Sequence, residues 1–397
     1  MPSGFASHWT LDPAITYLNH GAFGACPRVV QQAQSALRAR IERNPVGFFW
    51  RDLEALQDEA RAALARFVGG AAADLAFVGN TTAGVNAVLR SLVLAPGDEL
   101  LLTSHAYNAC RVTAEHVAAR AGARVVVATL PFLGATPDRI VDAVMAAVSP
   151  RTRLALVEHV TSPTALVLPV AALVGALDAR GVDTLVDGAH APGMVALNLA
   201  ELKPAYYVGH CHKWLCAPKG AAFIAVRPDR QAGLFPVSIS HGANSTRQDR
   251  SRFHLLFDWT GGFDPSGWLS VPVALQFMAG LLPGGWPALR AHNHALALDA
   301  RGLLAETLAV RDPLPPVEMI GSFACVPLPP PAAGPRLTGH GRLDPLQTAL
   351  SDAGFEVSIV NWPGCGRLLR ICAQIYNDAD DYVRLAAALR PLLERGI

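Results

Sequence analysis

The chain is short of charge. Asp, Glu, Lys and Arg make up 16% of its 397 residues, and the 33 basic groups nearly cancel the 32 acidic ones. No Lys/Arg cluster appears, so nothing points to a nucleic-acid partner. No apolar run reaches the roughly 20 residues a membrane-spanning helix needs, so no membrane association is expected. The first ten residues, M-P-S-G-F-A-S-H-W-T, lack a basic stretch leading into an apolar one, and no signal peptide is expected. The seven cysteines are odd in number and none sits in a C-x-x-C pair. That spacing argues against a disulfide framework or a zinc site and reads as reduced thiols in a cytoplasmic protein, with no metal. Internal repeats are absent. The one biased segment, P-L-P-P-P-A-A-G-P at 327–335, reads as a loop.

What the chain has instead is apolar mass. Hydrophobic residues reach 51%, which suits a well-buried globular enzyme. Its length exceeds what one hydrophobic core usually supports, so two domains are expected: 1–285 and a smaller α+β unit at 286–397, with residues 1–35 able to pack against the latter. Strand-like runs at Leu75–Val78, Glu99–Thr103, Arg124–Ala128, Leu154–Val160, Thr184–Asp187 and Tyr206–Gly209 alternate with helical patterns such as Pro137–Val148 and Val170–Arg180. That alternation predicts an α/β sheet domain from about Leu75 to Val226. Upstream, Val30–Ala39 and Asp52–Phe67 read as amphipathic helices separated by Asn44-Pro45-Val46-Gly47. Phe48-Phe49-Trp50-Arg51, between them, reads as core packing, with a face toward substrate or a second subunit as the alternative.

Chemistry concentrates between Thr184 and Phe223. Thr184-Leu185-Val186-Asp187 is a buried strand ending on a carboxylate, and Tyr206-Tyr207-Val208-Gly209 is a second strand running into His210, His212 and Lys213. An acid and a lysine at successive strand ends share one rim of a parallel sheet, where such sheets bind ligands. Pyridoxal 5'-phosphate chemistry needs that pair: a lysine for the Schiff base and a carboxylate for the pyridinium nitrogen, so that the ring acts as an electron sink. Thr81 and Thr82, in Gly79-Asn80-Thr81-Thr82-Ala83-Gly84, open a helix whose start reads either as an ordinary N-cap or as an anion site built on its free N–H groups. In Asn19-His20-Gly21-Ala22-Phe23-Gly24 the glycines fit either a plain turn or a close backbone approach.

D-G-A-H at 187–190 followed by H-C-H-K-W-L-C-A-P-K-G at 210–220 resembles the class V aminotransferase family, which holds the cysteine desulfurases and isopenicillin N epimerase. The second run is closer to the epimerase-like branch, and the resemblance spans Tyr17 to Tyr376. It implies a fold-type I pyridoxal-phosphate enzyme, with a mixed, mostly parallel seven-stranded sheet in the large domain. It also implies a homodimer with the active site near the interface. By the same resemblance Lys213 is the Schiff-base lysine and α-proton base, Asp187 pairs with the ring nitrogen, and His190 faces the phenolate oxygen. Thr81, Thr82, His210 and His212 contact the phosphate. Tyr107 stacks on the ring, with His105 as the competing choice, and Ser162 touches the phenolic oxygen. Thr260 stands in W-T-G-G-F-D where relatives have W-T-G-T-x-D reaching the neighbouring subunit's phosphate; here Gly262 replaces the second Thr. Arg370, in R-I-C-A-Q-I-Y-N, matches the arginine that holds a substrate α-carboxylate, a task suited to its planar fork. Asn19 and His20 border the substrate.

The implied reaction is epimerisation or racemisation at the α-carbon of an amino acid. Elimination by a C–S lyase and transamination remain open alternatives. A desulfurase is disfavoured, because the segment from Val357 to Gly366 is too short for a loop carrying a nucleophilic cysteine. An epimerase needs an acid on the second face, and Tyr107, His20 and Cys365 are its unranked candidates.

Overall fold

A computed structural model describes residues 3–330 and 344–397, so the Pro-rich stretch from 331 onward lies outside the described residues. The strands in chain order are β1 (Thr16–Tyr17), β2 (Leu75–Val78), β3 (Glu99–Thr103), β4 (Arg124–Ala128), β5 (Thr152–Glu158), β6 (Asp183–Gly188), β7 (Tyr206–His210), β8 (Ala222–Val226), β9 (Phe323–Pro327), β10 (Phe355–Glu356), β11 (Ser358–Trp362) and β12 (Gly366–Cys372). Seven of them form one sheet in the order β2-β8-β7-β6-β5-β3-β4, with β8 antiparallel to both neighbours and the other pairings parallel. All but β8 therefore end on the same rim.

Alternation along these strands builds two cores. Leu75, Phe77, Leu101, Ala155, Val157, Val186 and Tyr207 join one cluster, while Ala76, Val78, Leu100, Leu102, Leu154, Leu156, Leu185 and Val208 join another. Alternate residues of each strand separate because successive side chains of a strand point to opposite faces, and both faces are covered. A third cluster gathers residues of β9, β11, β12 and the helix Ala379–Glu394, and it includes Leu18 from the N-terminal segment. That segment is tied there by β1, which pairs in parallel with β10. The long helix Gly285–Thr307 joins the cores: Trp286 and Leu289 lie in the first cluster, and Ala297, Ala300 and Leu304 in the third.

The amphipathic patterns become the helices Arg28–Arg43 and Leu53–Val68. The predicted four-residue break between them narrows to Asn44. Its side chain accepts the Gly47 N–H at 3.0 Å, and Pro45 starts a helical turn that passes through a π-helical turn, Phe48–Asp52, into the second helix. Pro is well placed in a first turn, where its missing N–H costs nothing. Core packing holds for Phe48, which is buried, and fails for Trp50, which is 83% exposed. Among the described residues no helix is long and apolar enough to cross a membrane.

Candidate active site

The common rim opens into a cleft of about 210 Å³ lined by Thr81, Thr82, Tyr107, Ser162, Asp187, His190, His210, His212 and Lys213, together with Asn80, Glu158 and Phe23. Wider hollows of about 530 and 670 Å³ lie near Trp9 and Tyr17, but none of the strand-end groups faces them. The smaller cleft is where the chemistry converges.

Asp187 is the next-to-last residue of β6, and Lys213 follows β7 in the turn Cys211–Ala217, both buried. The Asp187 carboxylate receives the Ala189 N–H at 3.0 Å and the Cys110 thiol at 3.4 Å, and no cation pairs with it among the described residues. Burial therefore pushes it above the ordinary carboxylate range. The same desolvation brings Lys213 down to about 8, with Asp187 opposing it. Lys213 Nζ lies 3.0 Å from His190 Nε2. The Trp214 indole N–H, which can only donate, points at His190 Nδ1 at 3.5 Å. Nδ1 is thus the acceptor, the proton sits on Nε2, and the ring donates to Lys213 in the fraction whose amine is free. Burial and the nearby Lys213 hold His190 well below its ordinary value, which fits a neutral ring.

Helix Thr81–Ser91 opens at the same rim, with Asn80 accepting the Ala83 N–H at 2.8 Å. Gly84 lets it approach β7, since a Cβ there would stand 2.7 Å from Val208. The close approach brings the Thr81 N–H to His210 Nε2 at 3.0 Å. His210 consequently carries its proton on Nδ1, a buried atom with no partner among the described residues. Thr82 lines the cleft beside it, and His212 packs on His210 with ring centroids 4.1 Å apart while its Nδ1–H donates to the Ala221 carbonyl at 3.2 Å. The unpartnered His210 Nδ1–H and the helix N-terminus make this end of the cleft a fit for an anion.

Tyr107 and His105 are separated by the fold. His105 is buried, bonded to Thr164 Oγ1 at 2.6 Å and to the Leu130 carbonyl at 3.2 Å, and outside the cleft lining. Tyr107 is 47% exposed on the cleft wall, and its hydroxyl has no hydrogen-bond partner among the described residues. Arg370 lies on β12, buried, its guanidinium 5.7 Å from the centre of the Phe323 ring. One of its terminal nitrogens donates to the Ser162 carbonyl, the other lies 3.4 Å from Asn19 Oδ1, and Nε has no partner among the described residues. Asn19, Ser162 and Arg370 thus form one group.

Three expected residues lie elsewhere. His20 is fully buried and spent on structure, bonded to the Tyr376 hydroxyl at 2.7 Å and the Lys213 carbonyl at 3.0 Å, and burial lowers it to about 3. Cys365 sits in the tight hairpin between β11 and β12, away from the cleft lining. Of the three second-face candidates only Tyr107 lines the cleft. Thr260 falls in a separate hollow with Phe77, Ala83 and Trp268. The glycine question resolves toward close approach: Gly24 has φ +70°, and a Cβ on it would run into the His212 carbonyl. Sequence reasoning missed Glu158 and Cys110. The signal for Glu158 was the one used for Asp187, a carboxylate at a strand end, but the strand was expected to run on to Val160. Among the described residues no cluster of His, Cys, Asp or Glu is arranged to hold a metal ion.

Residues 17–255 match the family described as aminotransferase class-V. Isopenicillin N epimerase of Streptomyces clavuligerus is 36% identical over 396 residues, covering 96% of both chains. A probable chloroplastic L-cysteine desulfhydrase of Arabidopsis thaliana is 28% identical over 422 residues, covering 99% of this chain and 86% of the relative. Among solved structures, a cystine C–S lyase in complex with its product cysteine persulfide superposes with a TM-score of 0.78 at 21% identity, covering 94% of this chain and 97% of that one. That likeness shows the fold, the fold-type I arrangement with its mostly parallel seven-stranded sheet. By the family match and the near full-length identity to its relatives, the chain belongs to the class-V aminotransferase family.

Proposed function

We propose that this protein is a pyridoxal 5'-phosphate enzyme acting at the α-carbon of an amino acid or amino-acid derivative, as an epimerase or racemase of the isopenicillin N epimerase kind. The observation that carries the reading is the buried Asp187 carboxylate, which shares one cleft with the Lys213 amine and has no salt-bridge partner among the described residues. The residues present fit the cofactor. Asp187 awaits a cation, the orphaned His210 Nδ1 and the Thr81–Ser91 helix N-terminus suit a phosphate, and Lys213 has an amine that burial holds near neutrality. Asp187 would hold the ring-nitrogen proton, Thr81, Thr82, His210 and His212 the phosphate, His190 and Ser162 the phenolic edge, and Tyr107 the ring face. When bound, the cofactor supplies an electron sink for the pair released from the α-carbon.

The chain's own groups do the rest. Lys213 Nζ takes the α-proton, and its depressed pKa of about 8 leaves a usable fraction of free amine at neutral pH. His190 Nε2–H orients that amine. Arg370 holds the substrate carboxylate, with Asn19 and the Ser162 carbonyl fixing its guanidinium. The Tyr107 hydroxyl, without a hydrogen-bond partner among the described residues, delivers the proton to the second face. The same reading includes a homodimer in which Thr260 reaches the neighbour's phosphate, a division into 1–285 and 286–397, and a cytoplasmic setting for seven free thiols.

A C–S lyase is the second reading, favoured by the full-length similarity to a relative named as an L-cysteine desulfhydrase. It uses the same lysine and needs only a leaving group on the substrate. A desulfurase is disfavoured, because among the described residues no cysteine lines the cleft.

Two measurements test the reading. Borohydride reduction of the cofactor-loaded protein should fix the cofactor to Lys213, one of three lysines in the chain, so peptide mapping is unambiguous. Proton NMR with L-amino acids in deuterated water should show loss of the α-proton signal with the D-enantiomer appearing. Pyruvate with a released thiol moves the assignment to the lyase. An adduct on Lys203 or Lys219 instead would sink it.

A further inference from the structure

Glu158 is a second carboxyl in the cleft that the proposed chemistry leaves unused. It ends β5 in register with Asp187 on β6, so the two side chains leave adjacent parallel strands on the same face of the sheet. Glu158 is 2% exposed. The Thr103 hydroxyl donates to its Oε2 at 2.5 Å, while Oε1 is buried without a hydrogen-bond partner among the described residues. The ionisable groups around it are Asp187 from β6 and the Cys110 thiol from helix Asn108–Ala121, with the Thr103 hydroxyl from β3. No cation pairs with it among the described residues.

We propose that Glu158 and Asp187 form a two-carboxyl seat for the cofactor's ring-nitrogen cation, Glu158 being a positioning residue that sets how tightly Asp187 grips it. The proposal rests on the pyridoxal-phosphate reading of the site. Two carboxylates side by side and out of water repel, so one of the pair keeps a proton. Burial first, and the charge of Asp187 second, push Glu158 up to about 8, with the Thr103 hydroxyl opposing both. Near neutrality Asp187 alone faces the cation; above that range both carboxylates do. A glutamate present only to accept from Thr103 would behave differently, since Gln accepts that bond equally well and adds no charge at any pH.

The test measures the dissociation constant of pyridoxal phosphate for Lys213→Ala and for Lys213→Ala/Glu158→Gln, by fluorescence quenching between about pH 6.5 and 9.5. Removing Lys213 prevents the covalent link, so the constant reports the non-covalent grip, and the cofactor's own ionisations cancel in the ratio of the two variants. The ratio of double to single variant should rise about fivefold through a midpoint near 8, as one extra charge facing a cation requires. Thr103→Val in the same Lys213→Ala background should move the midpoint up, because the lost hydroxyl favoured the ionised form. It also provides an independent test should Glu158→Gln fold poorly. A ratio flat with pH, or a midpoint indifferent to Thr103→Val, overturns the two-carboxyl seat. Failure of folded Lys213→Ala to bind the cofactor at any pH overturns the cofactor reading along with it.

Discussion

The two rims of the central sheet carry the same residue types in opposite states. At the N-terminal rim, Glu99 opens β3 and pairs with Arg124, which opens β4, while also accepting the Ser149 hydroxyl at 2.6 Å. Asp98 pairs with Arg153 at 2.7 Å, and Asp183 with Arg230 at 2.6 Å. The Ser149 hydroxyl and Arg124 hold Glu99 below its ordinary value, and the Ala95 N–H and Arg153 do the same for Asp98. At the C-terminal rim Asp187 and Glu158 have no salt-bridge partner among the described residues and are pushed up by burial, while Lys213 is pushed down. One rim satisfies its charges internally and serves the fold; the other keeps buried groups in the wrong ionisation state for stability, which is where a charged ligand belongs.

The largest break in this contrast is Lys213→Ala. Loss of the base should lower α-proton exchange by about a thousandfold or more, measured by NMR in deuterated water. The melting temperature of the cofactor-free protein should hold or rise, because a buried amine without a salt bridge favours the unfolded state. A large drop in melting temperature would mean that Lys213 holds the fold together, and the two rims would no longer differ.

Glu158→Gln sharpens the contrast through pH. In cofactor-free protein the native state holds the Glu158 proton up to about 8, while the unfolded chain releases it near the ordinary carboxylate value. The native state thus binds more protons between those points, and stability falls as pH rises through that window. Replacing the carboxyl removes that loss, so the variant should match the wild type near pH 4.5 and exceed it at pH 9 by an amount on the order of 4 kcal/mol. Denaturant titration at the two pH values checks it; a difference independent of pH would show that Glu158 is not held protonated.

Arg370→Lys tests whether the buried guanidinium belongs with the site or with the fold. Lysine keeps the charge but loses the planar fork, so KM for the amino acid should rise about tenfold with kcat little changed. Equal losses in both parameters would place the residue in support of the reacting centre.

The sequence exposed the sheet and the central pair because their signals are local. Asp187 ends a short apolar run and Lys213 follows the next one, so strand periodicity alone puts both on one rim. Arg370 and Thr260 had no such signal and depended on resemblance; Arg370 proves buried beside Asn19, while Thr260 lies outside the cleft of its own chain. The second-face candidates could not be ranked because depth is a tertiary property. His20 and Tyr107 both follow strand-like runs, yet one is locked between Tyr376 and the Lys213 backbone and the other stands in the cleft. Glu158 was passed over for a boundary error of two residues. The π-helical turn at Phe48–Asp52 shows the reverse case, where Asn-Pro signalled a break and the first-turn proline instead began the next helix.

The smallest expected effect comes from the opposite rim. Glu99→Gln keeps the shape and two acceptor or donor positions but removes the charge that Arg124 and Ser149 satisfy. Because the native state holds Glu99 ionised below its ordinary value, its contribution is present above the unfolded carboxylate range and lost as pH falls through the depressed one. The variant should therefore melt about 2 °C lower at neutral pH, as loss of a modest charge-assisted bond in a chain of this size requires. The deficit should close on acidification. Exchange at the α-carbon per folded molecule should not change, since Glu99 lies a full strand length from the cleft. Set beside Glu158→Gln, the sign is the point. Both substitutions remove one buried carboxyl from one end of a strand in the same sheet; at alkaline pH one should raise the melting temperature and the other lower it. If both lowered it, Glu158 would be a structural carboxyl like Glu99, and the C-terminal rim would owe its unpaired charges to something other than a waiting ligand.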